Sequence, residues 1–238
     1  MRLLVSVRNA DEAAAAVAGG AEIVDAKDPA SSSSIGAVNP AALEAIRQVV
    51  PPAIRLSAAL GDVTTVDDVA SAFAGVTVPL AYVKLGFRGV ADATLVAPLL
   101  AEAVRRAALL PSRPAVIGVG YADAGRVGAL PPLDLVAMIY HAGADGLLLD
   151  TARKDGGSTF QIVAARVLEA LRLRCEADEL TLAIGGGLDL GDIEQAGACG
   201  ATIFGVRGAA CDGGRDGVVR EARVRRLAQA IRQERARA

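Results

Sequence analysis

The stretch 142–187, AGADGLLLDTARKDGGSTFQIVAARVLEALRLRCEADELTLAIGGG, holds one complete strand–helix–strand unit. Residues 146–151 form a short β-like apolar run that reaches its first polar side chain at Asp150. Residues 159–173 are a helix-patterned segment, and 181–186 are a second apolar run that ends in glycines. The same rhythm extends in both directions. Apolar runs fall at 3–7, 22–27, 54–60, 82–87, 115–121 and 202–206, and helix-patterned segments at 11–18, 40–50, 66–74, 93–109, 133–141, 190–196 and 218–235. Eight strands, each followed by a helix, in a chain near ~250 residues predict an α/β fold of the (β/α)8 TIM-barrel type. A doubly wound sheet is the runner-up, but it has no use for an eighth repeat. The repeated AGG or AGA at 18–20, 142–144 and 196–198 predicts helix C-caps that turn the chain back into the barrel.

No composition shift or long linker divides the chain, so 1–238 reads as a single catalytic domain. Of its 238 residues 53% are hydrophobic and only 3% aromatic, so the core must be built from Leu, Val, Ile and Ala. The formal net charge of −2 gives no positive field for phosphate backbones, which argues against nucleic acid as a partner. The longest stretches without a charged residue, 29–43 and 69–83, are 15 residues each, short of the ~18 that a membrane helix requires. No membrane span and no secretory signal are expected, and the cytoplasm is the expected compartment. Cys175, Cys199 and Cys211 lack CxxC spacing and read as buried, unreactive thiols. The serine run Ser31 to Ser34, after the second strand, reads either as a flexible lid or as an undemanding surface loop. The basic last helix carries a buried stripe of Val224, Leu227, Ala228 and Ile231 between solvated arginines.

Only three of the 25 basic residues are lysine, namely Lys27, Lys84 and Lys154. Arginine stays charged at any accessible pH, whereas a lysine amine can lose its proton and act as base or nucleophile. Lys27 ends the second strand, Lys84 lies in the fourth and Lys154 follows the sixth, so all three are expected at one barrel mouth. Strand alternation puts Asp25 on the face of Lys27, and Asp150 lies four residues before Lys154. These carboxylates serve proton transfer, ion pairing with buried amines, or both. Ser6 and Ser57 are the polar members of their strands. The glycine-rich ends IGGGL and FGVRG place Gly185, Gly186, Gly187, Gly205 and Gly208, with the charged Arg207, after strands seven and eight, where barrels hold phosphate esters. The single histidine, His141, reads as a cap or packing residue. No His, Cys or Asp cluster has metal-ligand spacing, and GVGYAD is only half of a dinucleotide fingerprint, so no metal and no cofactor is expected.

Together LLVSVRN from Leu3, GGAEIVDAKDP from Gly19, YVKLGF from Tyr82, LLLDTARKDG from Leu147, IGGGL from Ile184 and FGVRGAACDGGR from Phe204 resemble the (5-formylfuran-3-yl)methyl phosphate synthase family of methanofuran biosynthesis, also called 4-(hydroxymethyl)-2-furaldehyde phosphate synthases. The resemblance implies a class I aldolase-like lyase. Its partners would be small phosphorylated trioses: two glyceraldehyde 3-phosphates condense to the furan aldehyde, releasing one phosphate and water, to supply a methanofuran-type one-carbon carrier. It further implies that Lys27 is the Schiff-base lysine and Lys84 the proton acceptor, with Asp150 and Lys154 in the same pocket. The alternatives are another Schiff-base phosphosugar aldolase, of the deoxyribose-phosphate aldolase type, and a barrel that only binds phosphometabolites. The sequence leaves a homo-oligomer open.

Overall fold

The computed structural model describes residues 1–31, 33–153 and 157–237. In chain order they form β1 (Arg2–Val7), α1 (Ala10–Gly19), β2 (Ile23–Ala26), α2 (Pro40–Val49), β3 (Arg55–Asp62), α3 (Val66–Ala74), β4 (Tyr82–Gly86), α4 (Ala93–Leu109), β5 (Ala115–Tyr121), α5 (Pro132–Ala142) and β6 (Gly146–Asp150). There follow α6 (Thr159–Ile162), α7 (Ala165–Ala177), β7 (Thr181–Ile184), α8 (Ile193–Ala198), β8 (Ile203–Val206), a hairpin of β9 (Cys211–Asp212) and β10 (Val218–Val219), and α9 (Glu221–Arg235). Strands β1 to β8 pair in parallel with their sequence neighbours, and β8 pairs with β1, which closes the expected TIM barrel.

Alternation along each strand divides the apolar side chains into two layers. Leu3, Val5, Val24, Leu56, Ala58, Val83, Val116, Leu147, Leu149, Leu182 and Phe204 pack outward against the helices. Leu4, Ile23, Ala59, Ile117, Val119, Leu148, Ala183 and Ile203 fill the barrel interior. The inward positions one step further along β1, β2, β4 and β6 are Ser6, Asp25, Lys84 and Asp150, and Ser57 of β3 stands level with Asp25; all are buried. The inner surface is thus apolar below and polar toward the C-terminal ends of the strands.

Three expected elements differ in the structure. The helix expected at 159–173 is split into α6 and α7, with Ala164 in an extended conformation. Thr159 fixes the first piece, since its hydroxyl donates to the Gly185 carbonyl at 2.6 Å and its N–H to the Gly186 carbonyl at 2.9 Å. The chain then turns so that Leu168, Leu171 and Cys175 of α7 can be buried. The helix expected from Val218 begins at Glu221, because Val218 and Val219 pair with Asp212 and Cys211. Of the three glycine motifs, Gly20 and Gly143 are left-handed C-caps, with φ of 93° and 71°. The third differs, because α8 runs through Gly197 and the left-handed turn falls at Gly200. All three cysteines are buried, and burial pushes the Cys175 thiol up to about 11. His141 lies at the surface in the last turn of α5, edge-on to Tyr140. Among the described residues no helix is long and apolar enough to cross a membrane.

The barrel wall closes where α1 meets α9. Gly19 lies so close to α9 that an added Cβ would stand 2.4 Å from Val224 Cβ and 2.9 Å from the Glu221 carbonyl oxygen. Gly19→Ala is therefore expected to destabilise the fold by about 1–3 kcal/mol through overpacking, read as a lower denaturant midpoint at unchanged slope.

Candidate active site

A cavity of about 290 Å³ opens at the C-terminal end of the barrel. Its floor is Leu4, Ile117, Leu148, Ala183 and Ile203, and its walls carry Ser6, Lys27, Ser57, Tyr82, Lys84 and Asp150. The strand register explains this grouping. Ser6 lies beside Asp25, Asp25 beside Ser57 and Ser57 beside Tyr82, so one row of the barrel carries four consecutive polar inward positions.

Lys84 and Lys27 both reach this chamber, with side chains only 5% and 8% exposed. Sequence alternation suggested that Asp25 would accompany Lys27, but the stagger of the strands pairs it with Lys84 instead. Lys84 Nζ lies 2.6 Å from Asp25 Oδ2, which also accepts a hydrogen bond from the Ser6 hydroxyl at 2.9 Å. Lys27 Nζ lies 3.7 Å from Asp150 Oδ2, while Asp150 Oδ1 accepts from the Thr151 N–H at 2.8 Å. Among the described residues, Asp25 Oδ1 and the Ser57 hydroxyl are buried without a hydrogen-bond partner. They sit on neighbouring strands at the same level. Lys154 lies outside the described residues.

The glycine ends of β7 and β8 form the opposite wall, with Gly185, Gly186, Gly187, Gly205 and Gly208 all lining the cavity. Gly186 has φ +86°, and a Cβ there would come within 2.4 Å of the Thr159 hydroxyl and 2.7 Å of the Thr151 nitrogen. That position admits only glycine. Among the described residues the N–H groups of Gly186 and Gly187 give no backbone hydrogen bond, which leaves two donors at the cavity edge.

The structure corrects the expectation for Arg207. Its guanidinium lines the cavity, but all five N–H donors are engaged elsewhere in the protein. Nε donates to the Arg215 carbonyl at 2.8 Å, Nη1 to the Ser6 carbonyl at 3.0 Å and to Glu12 Oε2 at 2.8 Å, and Nη2 to Glu12 Oε1 at 3.2 Å and the Gly217 carbonyl at 3.1 Å. No fork is left for a phosphate. Burial alone would raise the Glu12 carboxyl, but hydrogen bonds from Arg207 and Arg8 outweigh it and hold the group below its ordinary value of 4.5.

Sequence reasoning missed several residues around this mouth. Asp62 ends β3 and accepts a short hydrogen bond from the Tyr121 hydroxyl at the end of β5. Burial, followed by the Asp62 charge, pushes the Tyr121 phenol well above its usual value, so it remains a donor. Asp62 Oδ2 also accepts from the Ser33 hydroxyl at 2.6 Å, and Ser34 and Ile35 are buried beside it. The described part of the serine run is therefore hydrogen-bonded to the mouth. Asp62 and Tyr121 are polar side chains at strand ends, the same signal that singled out Ser6 and Ser57. Arg215 also lines the cavity and sits in the motif CDGGR.

The profile of the 4-HFC-P synthase family matches residues 3–228. The chain belongs to the 4-HFC-P synthase family. The (5-formylfuran-3-yl)methyl phosphate synthase of Methanocaldococcus jannaschii is 38% identical over 220 residues, which cover 90% of this chain and 92% of that protein. The enzyme of the same name from Methanopyrus kandleri is 36% identical, over 97% of this chain and 98% of its own. Among solved structures, phosphoribosyl anthranilate isomerase from Thermus thermophilus shares the fold with TM-score 0.66 at 18% identity, covering 98% of this chain and 99% of its own. The corresponding values for 3-hexulose-6-phosphate synthase from Salmonella typhimurium are 0.65 and 15%, with 98% and 100% coverage. Membership in a synthase family makes the protein an enzyme.

Because the Glu12 pKa is depressed by folding, its contribution to stability is full above pH 4.5 and is lost as the pH falls through the lower folded-state value. Glu12→Gln removes that contribution. The gap in thermal midpoint between wild type and Glu12→Gln is expected to be widest near neutrality and to narrow as the pH drops below about 4.5, in a series of melts.

Proposed function

We propose that the enzyme condenses two molecules of glyceraldehyde 3-phosphate into (5-formylfuran-3-yl)methyl phosphate through a Schiff base on Lys27, and that this furan feeds a methanofuran-type one-carbon carrier. The observation that carries the reading is the presence of two almost fully buried lysines in one small chamber, each within 4 Å of its own carboxylate, in a chain of this family. A binding site for anions alone would be served as well by arginine.

Lys27 is the imine-forming amine. It stands at the end of β2, with Asp150 near enough to steady the charged imine. The first triose, held as an imine, becomes a carbon nucleophile when a proton is removed from the carbon next to the imine. The Lys84–Asp25 pair takes that proton. Lys84 is the acceptor, and Asp25, 2.6 Å from its Nζ, is placed to take the proton on from the amine. Ser6 steadies Asp25 in the process. Lys154, four positions after Asp150 in sequence, is assigned to the same chemistry. The second triose supplies the aldehyde, and elimination then follows. Two C3H7O6P against one C6H7O6P leave one H3PO4 and two H2O, so the overall reaction is that of a carbon–oxygen lyase. The retained phosphate rests against Gly185, Gly186 and Gly187 and the β8 glycines Gly205 and Gly208, where backbone N–H groups serve as donors. Aromatisation of the ring makes the sequence effectively irreversible, which separates it from an ordinary deoxyribose-phosphate-type aldolase.

Incubation with glyceraldehyde 3-phosphate is expected to release one inorganic phosphate for every two trioses consumed, with growth of an ultraviolet-absorbing aldehyde. Consumption without phosphate release, or a product that returns to trioses on dilution, would mean a reversible aldolase instead. Borohydride added during turnover is expected to leave a reduced triose adduct that peptide mass mapping finds on Lys27. An adduct on Lys84 or Lys154 would reassign the imine.

A further inference from the structure

With Arg207 fully occupied, the cavity still carries one cation that no carboxylate neutralises among the described residues. We propose that Arg215 is the residue that meets the substrate phosphate, and that Arg207, Glu12 and Arg8 form the frame that holds it over the cavity. This rests on the reading of the cavity as a site for phosphorylated trioses.

Arg215 sits in the tight turn between β9 and β10, and it lines the same cavity as Lys27 and the Gly185–Gly187 wall. The turn's shape is fixed by its glycines: Gly213 and Gly214 have φ of +83° and +74°, and a Cβ on Gly217 would fall 1.7 Å from the Asp212 carbonyl oxygen. Three successive carbonyls of this turn accept from two guanidinium groups. Arg207 Nε donates to Arg215 O at 2.8 Å, Arg8 Nη2 to Asp216 O at 2.8 Å, and both arginines donate to Gly217 O. The two guanidinium groups in turn converge on Glu12, which is 2% exposed: Arg8 Nε lies 3.0 Å from Oε1 and Arg207 Nη1 2.8 Å from Oε2. Buried ion pairs give little net stability, because desolvation offsets their attraction, and they are better understood as devices that specify position. Here the position specified is the backbone of Arg215.

The Arg215 side chain is engaged quite differently. It gives a single hydrogen bond, from Nη2 to the Pro29 carbonyl at 3.2 Å, and its remaining N–H donors have no partner among the described residues. Pro29 is two residues past Lys27, so the guanidinium is anchored on the loop of the proposed imine lysine, in the cavity that the glycine wall also lines. Lys27 and Lys84 each have a carboxylate within reach, whereas Arg215 has no carboxylate partner among the described residues. A planar fork in the cavity that the N–H groups of Gly186 and Gly187 also face matches two oxygens of a phosphate monoester in a way that a lysine would not.

The test is calorimetric titration of inorganic phosphate into wild type, Arg215→Gln and Arg215→Lys, with steady-state kinetics on glyceraldehyde 3-phosphate. Loss of a charge-assisted fork is expected to weaken phosphate binding about ten- to a hundred-fold in Arg215→Gln, with Arg215→Lys in between, and to raise KM more than it lowers kcat. Phosphate affinity in Arg215→Gln equal to wild type, with wild type binding well, overturns the assignment and leaves the phosphotriose reading standing. Wild type that binds no phosphate overturns that reading and the assignment with it. If Arg215→Gln does not fold, Arg215→Lys decides: undiminished affinity there rejects the fork.

Discussion

Lys84 and Asp25, 2.6 Å apart and almost wholly shielded from water, set the terms for the upper half of the barrel. Burying an ammonium group without a carboxylate is costly, and so is burying a carboxylate without an ammonium or strong donors. Each therefore requires the other at a fixed height on non-adjacent strands, which the closed, staggered sheet supplies. The side chains around them follow from this need. Ser6 completes one oxygen of Asp25, and Lys27 and Asp150 repeat the arrangement across the chamber. The apolar floor of Leu4, Ile117, Leu148, Ala183 and Ile203 lowers the local dielectric and makes both pairs stronger.

Much of this architecture is legible in the sequence because alternation has a period of two and lysine is scarce. Eight apolar runs give the eight strands, and two of the three lysines among so many arginines, Lys27 and Lys84, mark the mouth. Pairing is a different matter. Asp25 and Lys27 share a face two residues apart, yet Asp25 turns to Lys84, because which inward side chains meet is set by the shear between strands and not by spacing along one of them. The split between α6 and α7 was hidden for a similar reason. Ala164 and Ala165 are good helix formers, and the break is imposed by Thr159, which is tied to carbonyls of Gly185 and Gly186 far along the chain.

Charge disguises function most thoroughly at Glu12 and Arg207. In sequence Glu12 is one more acidic residue in the first turn of a helix, where it suits the dipole, and Arg207 is an arginine in a glycine-rich loop, where it suits an anion. Their attraction for each other, across 195 positions of chain, outweighs both local roles. Arg215, the second arginine of FGVRGAACDGGR, is left with the donors that are free among the described residues. Asp62 and Tyr121 show the same effect at the other rim, joined across 59 positions and fastening the serine run that sequence leaves undecided.

The packing of α1 against α9 has a further consequence for how the molecule comes into being. On the ribosome, the strand carrying Lys27 emerges among the first parts of the barrel, while Arg207, the 213–217 turn and the helix that seals Gly19 emerge among the last. Until then Glu12 and β1 have no permanent neighbour on one side, and the sheet has an open edge. Such an edge must be shielded or kept short-lived during synthesis. The site is therefore completed late, when the first-made and last-made parts of the barrel meet.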